Sequence, residues 1–365
     1  MFVFLLSIFK LLAIQQTSFD FFGDEAQYWI WSQKLDFGYY SKPPLLAWII
    51  SFFEFGIGNS FESLKVIPFI FYILTSYIIY LLIIELFGSK NMALISAITF
   101  YLLPSVSVSS FLLSTDVILI FFWSLCLLFL LRIRKNPNLL NFLLLGIFLG
   151  LGFMSKYAAI YFVLSLVILI VVDRKIYLAF SKNISFVLVF IFTVLLIIFP
   201  NILWNMNNGW VTIEHTSDNA GLNRIKLNFF QGLEFLVTQC IMLGPIIALS
   251  SIFFLNKINI NFENKFLLSF SLPIFIIVLV ESILVRANAN WAAVALVSLF
   301  IFLFNIVYSN TKKVIFINNI VNFIFCLIFL FLISSSAEIK FFNRINGISN
   351  FAKEIENKHL LGEEF

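Results

Sequence analysis

Residues 184–203 read ISFVLVFIFTVLLIIFPNIL, twenty residues without a single charged side chain. About 20 consecutive apolar residues are enough to cross the hydrocarbon core of a bilayer as a helix. The rest of the 365-residue chain has the same character, with 61% hydrophobic and 12% charged residues. Soluble domains carry about 25% charged residues. The composition therefore predicts an integral membrane protein.

Apolar runs of spanning character recur through the whole chain. We expect an all-α bundle of about eleven transmembrane helices, with the segment 44–57 lying at the interface or re-entering the membrane. The predicted spans are 2–16, 61–87, 91–111, 116–132, 138–155, 157–172, 184–203, 229–255, 266–284, 290–308 and 314–334.

The distribution of lysine and arginine predicts the orientation of these spans. If the N-terminus is cytoplasmic, the cytoplasmic connections hold 11 of the 23 basic residues, at about threefold the density of the opposite loops. Those connections are 88–91, 132–137, 173–183, 256–265 and 309–313. We therefore expect the other face, called the outer face below, to be periplasmic or exterior, with the protein in the cytoplasmic (inner) membrane.

This topology gathers polar residues from distant parts of the chain on the outer face. A first outer loop, 17–60, contains acidic and basic residues, and a second covers 205–224. Charged groups kept at a membrane surface in so apolar a chain indicate a functional site. A transporter more often places its polar groups near mid-membrane on broken helices. Glu234 and Gln239 are the nearest examples of such placement.

Composition excludes several other classes of site. Cys126, Cys240 and Cys326 all lie in apolar runs and are interpreted as small core residues. The two histidines have no paired ligands at a useful spacing, so the sequence predicts no metal centre, while leaving a divalent metal requirement open. A net charge of +4 gives no reason to expect nucleic acid as a partner.

The first outer loop begins with an acidic pair in the run Gly23-Asp24-Glu25-Ala26-Gln27-Tyr28-Trp29. Asp24 either caps an interfacial helix, with Gln27 returning to the backbone in a capping box, or serves in the site. Both roles are compatible. A catalytic Asp24 would orient an acceptor hydroxyl and partly deprotonate it.

Two lysines lie on the same face. Lys42 precedes Pro43 and Pro44, which stiffen the turn, and Lys156 follows a glycine-rich span. Either lysine is explained by snorkelling or by anchoring at a span end. Because lysine and arginine concentrate in cytoplasmic loops, however, a lysine between two spans on the outer face is less expected. An ammonium at that position suits a phosphate at the level of the lipid headgroups.

Further polar residues have two interpretations each. Asp116 in Ser114-Thr115-Asp116 either caps the fourth span or serves in the site. The loop from Asn205 to His215 is either a turn with interfacial tryptophans or a sugar-binding surface. Arg286 either contacts a phosphate or pairs with Glu281.

Taken in order, these motifs resemble one family. They are Asp24-Glu25, Tyr39-Tyr40-x-Lys42-Pro43-Pro44, Thr115-Asp116, Ser155-Lys156-Tyr157, the loop from Trp204-Asn205 to His215 and Asn290-Trp291-Ala292-Ala293. The sequence is similar to the bacterial branch of the protein O-mannosyltransferases, which includes the lipid A aminoarabinose transferases. These are GT-C glycosyltransferases that use polyprenyl-phosphate sugars. The resemblance runs from about residue 20 to residue 300.

The resemblance implies an inverting sugar transfer outside the cytoplasmic membrane, from a polyprenyl-phosphate donor to a lipid or cell-envelope glycan acceptor. It assigns catalysis to Asp24, with Glu25 beside it, and donor-phosphate contacts to Lys42 and Lys156. Arg286 is a further phosphate-binding candidate. Asp116, Tyr40, Asn205 and His215 are other expected site residues.

Relatives often carry a soluble domain after their spans, whereas about 30 residues follow the last predicted span here. We therefore expect a transmembrane transferase domain over 1–334 and a short non-cytoplasmic tail over 335–365. A non-catalytic transporter of lipid-linked sugar, or a degenerate relative, is the alternative. No cofactor is expected.

Overall fold

The computed structural model describes residues 2–17, 19–58, 60–221, 225–336, 340–348, 351 and 353. These residues form helices and no strand, which confirms the all-α fold class. The helices are α1 (Phe2–Gln15), α2 (Gly23–Ser32), α3 (Leu45–Ile57), α4 (Phe61–Leu64), α5 (Val66–Phe87), α6 (Lys90–Leu102), α7 (Pro104–Ser109), α8 (Thr115–Lys135), α9 (Leu139–Ser155), α10 (Ile160–Val172), α11 (Arg174–Ser181), α12 (Ile184–Asn207), α13 (Val211–Ala220), α14 (Phe229–Met242), α15 (Pro245–Ile252), α16 (Phe262–Ser269), α17 (Leu272–Leu284), α18 (Ala293–Asn310) and α19 (Lys312–Ser334). Short 3-10 turns cover Tyr157–Ala159, Leu255–Lys257, Ala289–Ala292 and Lys340–Phe342.

The predicted count of eleven spans is not confirmed. Within the described residues, six helical segments are long and apolar enough to cross a membrane, or up to seven if α14 and α15 form one broken span. Four further apolar segments are helical but shorter: Phe2–Gln15, Leu45–Ile57, Leu139–Ser155 and Tyr157–Val172. The run 91–111 divides into α6 and α7, because Pro104 cannot donate the hydrogen bond that would continue α6. The chain is nevertheless a multi-pass membrane protein.

Two helices form the centre of the bundle. In both α8 and the segment Ala289–Asn310 that contains α18, 78% of the most apolar window is buried inside the protein. In α12 only 17% is buried, so most of that helix faces lipid. Because α8 and α18 are enclosed, the polar residues at their outer ends are held rigidly against neighbouring helices.

Glycines on α9 allow it to pack closely against α12. A Cβ added at Gly146 would lie 2.8 Å from the backbone oxygen of Phe190, and one at Gly150 would lie 2.9 Å from Ile197 Cβ. This four-residue spacing of small residues is the usual device for close helix approach in membranes. The close packing fixes the outer end of α9, where Lys156 lies.

We expect Gly146→Ala to destabilise the protein by about 1–3 kcal/mol, because the added methyl meets a backbone carbonyl and separates α9 from α12. Thermal unfolding in detergent measures this. Gly56→Ala is the matched control, since Gly56 is also helical and has open space around its Cβ position. Equal melting temperatures for the two variants would show that the close approach of α9 to α12 contributes nothing to the stability of the protein.

A sharp break separates α14 from α15, whose axes are bent by 108°. Gly244 occupies the break with φ 88°, a conformation that glycine adopts without strain. The Asn318 side chain from α19 accepts a hydrogen bond from the backbone N–H of Ile247 at 3.4 Å. The break lies beside the outer cavity described below, which Met242 helps to line.

Charged residues at the opposite end of the bundle form their own clusters. Arg134 pairs with Asp173 at 3.0 Å, and Arg132 and Lys135 both lie within 4.0 Å of Glu85. These residues belong to or adjoin the predicted cytoplasmic connections. These clusters and the charges of the outer face therefore lie at opposite ends of the helices, as the distribution of basic residues predicts.

Candidate active site

A cavity of about 510 Å³ opens where the outer ends of several helices meet. Its wall is built by the first turn of α2, the connection from α7 to α8, the first turn of α8 and the residues leading into α18. Three predicted site residues line it: Asp24, Glu25 and Asp116. Two acidic motifs separated by almost a hundred residues thus share one cavity.

The prediction that Asp24 caps a helix is wrong. Helix α2 begins at Gly23 and Phe22 holds the cap position, so Asp24 already lies in the first helical turn. Glu25, not Gln27, returns to the backbone: its Oε2 accepts from the N–H of Phe22 at 2.9 Å. Asp24 is exposed and makes no hydrogen bond or ion pair with any other residue that the structure describes. Its carboxylate is therefore available to a ligand in the cavity.

Glu25 has a different environment from its neighbour. Its side chain is buried, and Oε1 lies 2.5 Å from Lys65 Nζ and 2.6 Å from the backbone N of Leu113. The same lysine donates to the backbone oxygen of Phe111 at 2.6 Å. Glu25 thus fastens α2 to α5 and to the connection before α8. This arrangement favours positioning of Asp24 over direct chemistry by Glu25.

Asp116 is not a helix cap either. Ser114 holds the cap position of α8, and neither oxygen of Asp116 returns to its own backbone. Oδ1 accepts from Lys156 Nζ at 2.6 Å, and Oδ2 accepts from Asn290 Nδ2 at 2.7 Å. Asp116 therefore joins the outer ends of α8, α9 and the start of α18. An ammonium has three N–H donors, so Lys156 retains donors for a ligand.

Lys42 is partly buried, and its ammonium makes no hydrogen bond or ion pair with the described part of the chain. Burial lowers its pKa from the ordinary 10.5, as does the nearby charge of Lys156, while Asp116 and Asp24 act in the opposite direction. The charges of both carboxylates and of Lys156 therefore all act on Lys42. A desolvated, unpaired cation is an attractive position for an anion.

The loop that carries Lys42 is held against α12 and α13. Asn201 Nδ2 donates to the backbone oxygen of Phe37 at 2.6 Å, and the Thr212 hydroxyl donates to that of Tyr39 at 2.6 Å. A Cβ on Gly38 would overlap the ring of Trp204, so only glycine allows this approach. The loop is therefore fixed where it presents Lys42.

Three further predicted residues lie around this loop. The ring of Tyr40 is exposed and lies 4.8 Å from that of His215, centroid to centroid. Burial lowers the pKa of His215, and the charge of Lys42 adds to this effect while Asp218 opposes it. Asn205 is buried, and its Nδ2 donates to the Tyr157 hydroxyl at 3.0 Å. Asn205 thus lies on the buried side of the loop, and Tyr40 and His215 lie on its solvent side.

Arg286 is one of six predicted site residues that lie outside the cavity wall; the others are Lys42, Lys156, Tyr40, Asn205 and His215. Its side chain is exposed and does not line the cavity. The alternative pairing with Glu281 is also absent: among the described residues, no ion pair within 4.0 Å joins them. Within the same residues, no group of three or more His, Cys, Asp or Glu side chains is arranged to hold a metal ion.

Comparisons with known proteins find similarity to proteins that are named as sugar transferases. The family model described as dolichyl-phosphate-mannose-protein mannosyltransferase matches residues 41–204. The lipid A galacturonosyltransferase RgtD of Rhizobium johnstonii is 29% identical over 298 residues, which are 80% of this chain and 62% of that protein.

The crystal structure of ArnT from Cupriavidus metallidurans bound to undecaprenyl phosphate superposes with a TM-score of 0.68 at 14% identity. The match covers 88% of this chain and 62% of ArnT. The chain therefore has the same fold as ArnT. The fold that the motif resemblance implies is thereby confirmed.

A structure of lower similarity is the archaeal oligosaccharyltransferase AglB from Archaeoglobus fulgidus, in complex with an inhibitory peptide and a dolichol-phosphate. It superposes with a TM-score of 0.52 at 15% identity over 91% of this chain and 55% of its own. The present chain spans about three fifths of the length of RgtD and of ArnT.

Sequence reasoning missed four residues at or beside this site: Tyr28, Lys65, Asn290 and Arg344. Tyr28 lines the cavity, and burial together with the charges of Asp24 and Asp116 raises its pKa well above 10. Tyr28 therefore stays a neutral phenol beside both carboxylates. Asn290 belongs to a motif noted in the sequence, but nothing local showed that it would reach Asp116.

Proposed function

We propose that this protein is a membrane glycosyltransferase that moves a sugar from a polyprenyl-phosphate donor to a lipid acceptor, with inversion at the anomeric carbon. One observation carries the proposal: Asp24 and Asp116 line one outer cavity, Lys156 bonds to Asp116 at 2.6 Å, and the charges of all three act on Lys42. Among the described residues, neither the ammonium of Lys42 nor the carboxylate of Asp24 has a hydrogen-bond or ion-pair partner. The GT-C fold supports it.

The two lysines suit the donor side of the reaction. As the bond between the anomeric carbon and the phosphate oxygen breaks, the bonding electrons stay with the phosphate, which gains negative charge. Ammonium groups already in position stabilise that charge in the transition state. Lys42 supplies an unpaired ammonium, and Lys156 is aimed by its bond to Asp116, which Asn290 holds from the other side.

Asp24 suits the acceptor side. In an inverting displacement, the acceptor oxygen attacks the anomeric carbon from the face opposite to the leaving group. A carboxylate at hydrogen-bond distance from the acceptor hydroxyl orients it and takes its proton as the new carbon–oxygen bond forms. Glu25 holds Asp24 in place through its bonds to Lys65 and Leu113.

The remaining predicted residues surround this centre. Tyr40 and His215 border the loop that presents Lys42, where a sugar ring would pack. Asn205 supports that loop, and Arg286 is retained only as an outlying contact for the donor phosphate. We propose no metal or cofactor in the reaction.

We infer the acceptor class and the cellular location from the relatives. RgtD is a lipid A galacturonosyltransferase, so a lipid A-type glycolipid is the acceptor that we propose. The donor resembles the undecaprenyl phosphate that the ArnT structure contains, extended by a sugar. The site would then lie on the periplasmic face of the inner membrane, in agreement with the distribution of basic residues.

Removal of either lysine is expected to lower transfer by about a hundredfold, which is the usual cost of losing one group that stabilises developing charge. The assay measures sugar transfer to lipid A in membranes containing Lys42→Ala or Lys156→Ala. Lys34→Ala, another exposed lysine of the first outer loop, is the control and should match wild type. Near-wild-type turnover in both Lys42→Ala and Lys156→Ala would contradict the proposal.

Donor binding should weaken at alkaline pH. Lys42 must be protonated to hold a phosphate, and its pKa is lowered from 10.5, so affinity is full below the lowered pKa and falls as pH rises through it. Asp24→Asn removes a charge that raises this pKa, so the midpoint should move to lower pH. Binding of undecaprenyl phosphate, titrated from neutral pH upward, measures both. Identical profiles for wild type, Asp24→Asn and Lys42→Ala would contradict this role.

A further inference from the structure

A second cavity, of about 350 Å³, adjoins the first. Its wall is mainly apolar and aromatic, with ring contributions from Phe19, Phe61, Phe111, Phe329 and Phe342. Volumes of a few hundred Å³ with apolar walls and few polar groups are typical of ligand sites. We call it the side chamber.

The side chamber and the active-site cavity share part of their walls. Phe22, Glu25, Leu112 and Arg344 line both. The shared residues Phe22 and Glu25 flank Asp24 in sequence, so the chamber lies directly beside the proposed acceptor carboxylate. Lys42 and Lys156 line neither cavity, but Asp116, which bonds to Lys156, lines the active-site cavity and not the chamber. The chamber wall therefore includes neighbours of Asp24 but not the Asp116–Lys156 pair that we assign to the donor side.

Arg344 brings a positive charge to this junction, and Asp20 brings a carboxylate to the same chamber wall. The other basic residue of the chamber wall, Lys65, is buried and neutralised by Glu25. The Arg344 side chain is exposed, and its guanidinium makes no hydrogen bond or ion pair with the residues that the structure describes. A free guanidinium next to an apolar chamber matches an anionic group next to a hydrocarbon chain.

The residues around Arg344 are fixed against the outer loop. The Phe342 ring packs on Phe19 at 4.7 Å and on Phe329 at 6.2 Å, between ring centroids. The backbone oxygen of Ile345 accepts from the N–H of Asp20 at 2.7 Å. Arg344 lies between these two attachments, so its backbone position is set by residues that precede α2.

We propose that the side chamber binds the acceptor, an anionic lipid, with its hydrocarbon chain among the phenylalanines and its anionic group on Arg344. This assignment rests on the proposed transferase function. The acceptor hydroxyl would then face Asp24, opposite the donor phosphate on Lys42 and Lys156. The new bond joins that oxygen to the anomeric carbon, the hydroxyl proton passes to Asp24, and the polyprenyl phosphate leaves with the bonding electrons.

The test uses a lysophosphatidic acid whose acyl chain ends in a photoactivatable diazirine, and a monoacylglycerol with the same chain and no phosphate. The full-length protein in detergent is labelled and the modified peptides are identified by mass spectrometry. We expect the phosphate-bearing probe to label chamber-lining residues and to persist under competition by undecaprenyl phosphate. Arg344→Ala should reduce this labelling about tenfold, which corresponds to about 1.4 kcal/mol.

Lys340→Ala is the matched control, because Lys340 is an exposed basic residue of the same tail that lines neither cavity, and its labelling should equal wild type. Val108→Trp fills the chamber from α7 and should reduce labelling even with Arg344 intact. Equal labelling by both probes, or full displacement by undecaprenyl phosphate, would overturn the assignment.

Steady-state kinetics separate this inference from the function on which it rests. If the assignment is right, Arg344→Ala raises the KM for lipid A about tenfold and leaves the KM for the donor unchanged. Wild-type kinetics for Arg344→Ala, in a preparation that transfers sugar and loses transfer on Asp24→Asn, would overturn the acceptor site alone. Absence of transfer by the wild-type protein would overturn the function and the acceptor role together.

Discussion

Asp24→Asn should lower sugar transfer by about a thousandfold, the middle of the range for loss of a general base. Asparagine keeps the size of the side chain and its hydrogen-bonding capacity but cannot accept the acceptor proton. Asp24 has no structural partner among the described residues, so the substitution should leave folding unchanged. Transfer from the lipid-linked donor to lipid A, measured with purified protein, gives the ratio.

Two comparisons make this result specific. Glu62→Gln removes another exposed carboxylate, in α4 just after the first outer loop and outside both cavities, and should retain wild-type transfer. Retention of a tenth or more of wild-type turnover by Asp24→Asn would rule out the role given to this carboxylate. A wild-type protein that binds the donor and transfers nothing would instead support the transporter alternative.

The second large effect is on stability. Lys65→Met should destabilise the protein by about 3–5 kcal/mol, because it leaves the carboxylate of Glu25 buried without its counter-charge. Both side chains of the pair are at most 5% exposed, so solvent offers little compensation. The melting temperature in detergent and the denaturant midpoint both report the change.

Removal of both charges tests whether the unpaired buried carboxylate is the cause of this loss of stability. In Glu25→Gln with Lys65→Met the buried charge is gone, and much of the lost stability should return. The double variant should also lower transfer, since Glu25 holds the first turn of α2 through Phe22 and Leu113. A Lys65→Met protein as stable as wild type would show that this pair does not fasten α2 to the bundle.

The sequence predicted the class of fold and much of the site because both depend on local signals. Runs such as 184–203 are apolar enough to indicate membrane helices without knowledge of their neighbours. The bias of basic residues placed the ends of α8 and α9 on one face, and Asp116 and Lys156 do meet there. The order of the motifs added the roles that local chemistry alone left open.

The sequence missed what depends on packing between distant segments. Asp24 and Glu25 look equivalent in the sequence, yet one is exposed and the other is buried, because α2 starts two residues earlier than a cap at Asp24 requires. The partner of Glu25 is 40 residues away, at the start of an apolar run where Lys65 looks like an interfacial anchor. Arg344 follows the last span and reaches the cavity only because Phe342 and Ile345 attach to the outer loop.

The number of spans is not confirmed for a physical reason. Three of the predicted spans, 2–16, 138–155 and 157–172, form helices of 17 residues or fewer, which hydropathy counts alongside the longer ones. A helix of 14 or 17 residues is at or below the lower limit of length for a membrane span. Burial inside the protein or a position at the interface explains such a length at least as well as spanning does.

Mass spectrometry of cell-envelope glycolipids tests the proposed function most directly. The comparison uses cells that lack this gene and carry either the wild-type copy or Asp24→Asn, with equal amounts of both proteins in the membrane. We predict that one sugar-modified lipid A species is present with the wild-type copy and absent with the variant. Glycolipid profiles that are the same in both strains would contradict a transferase that depends on Asp24.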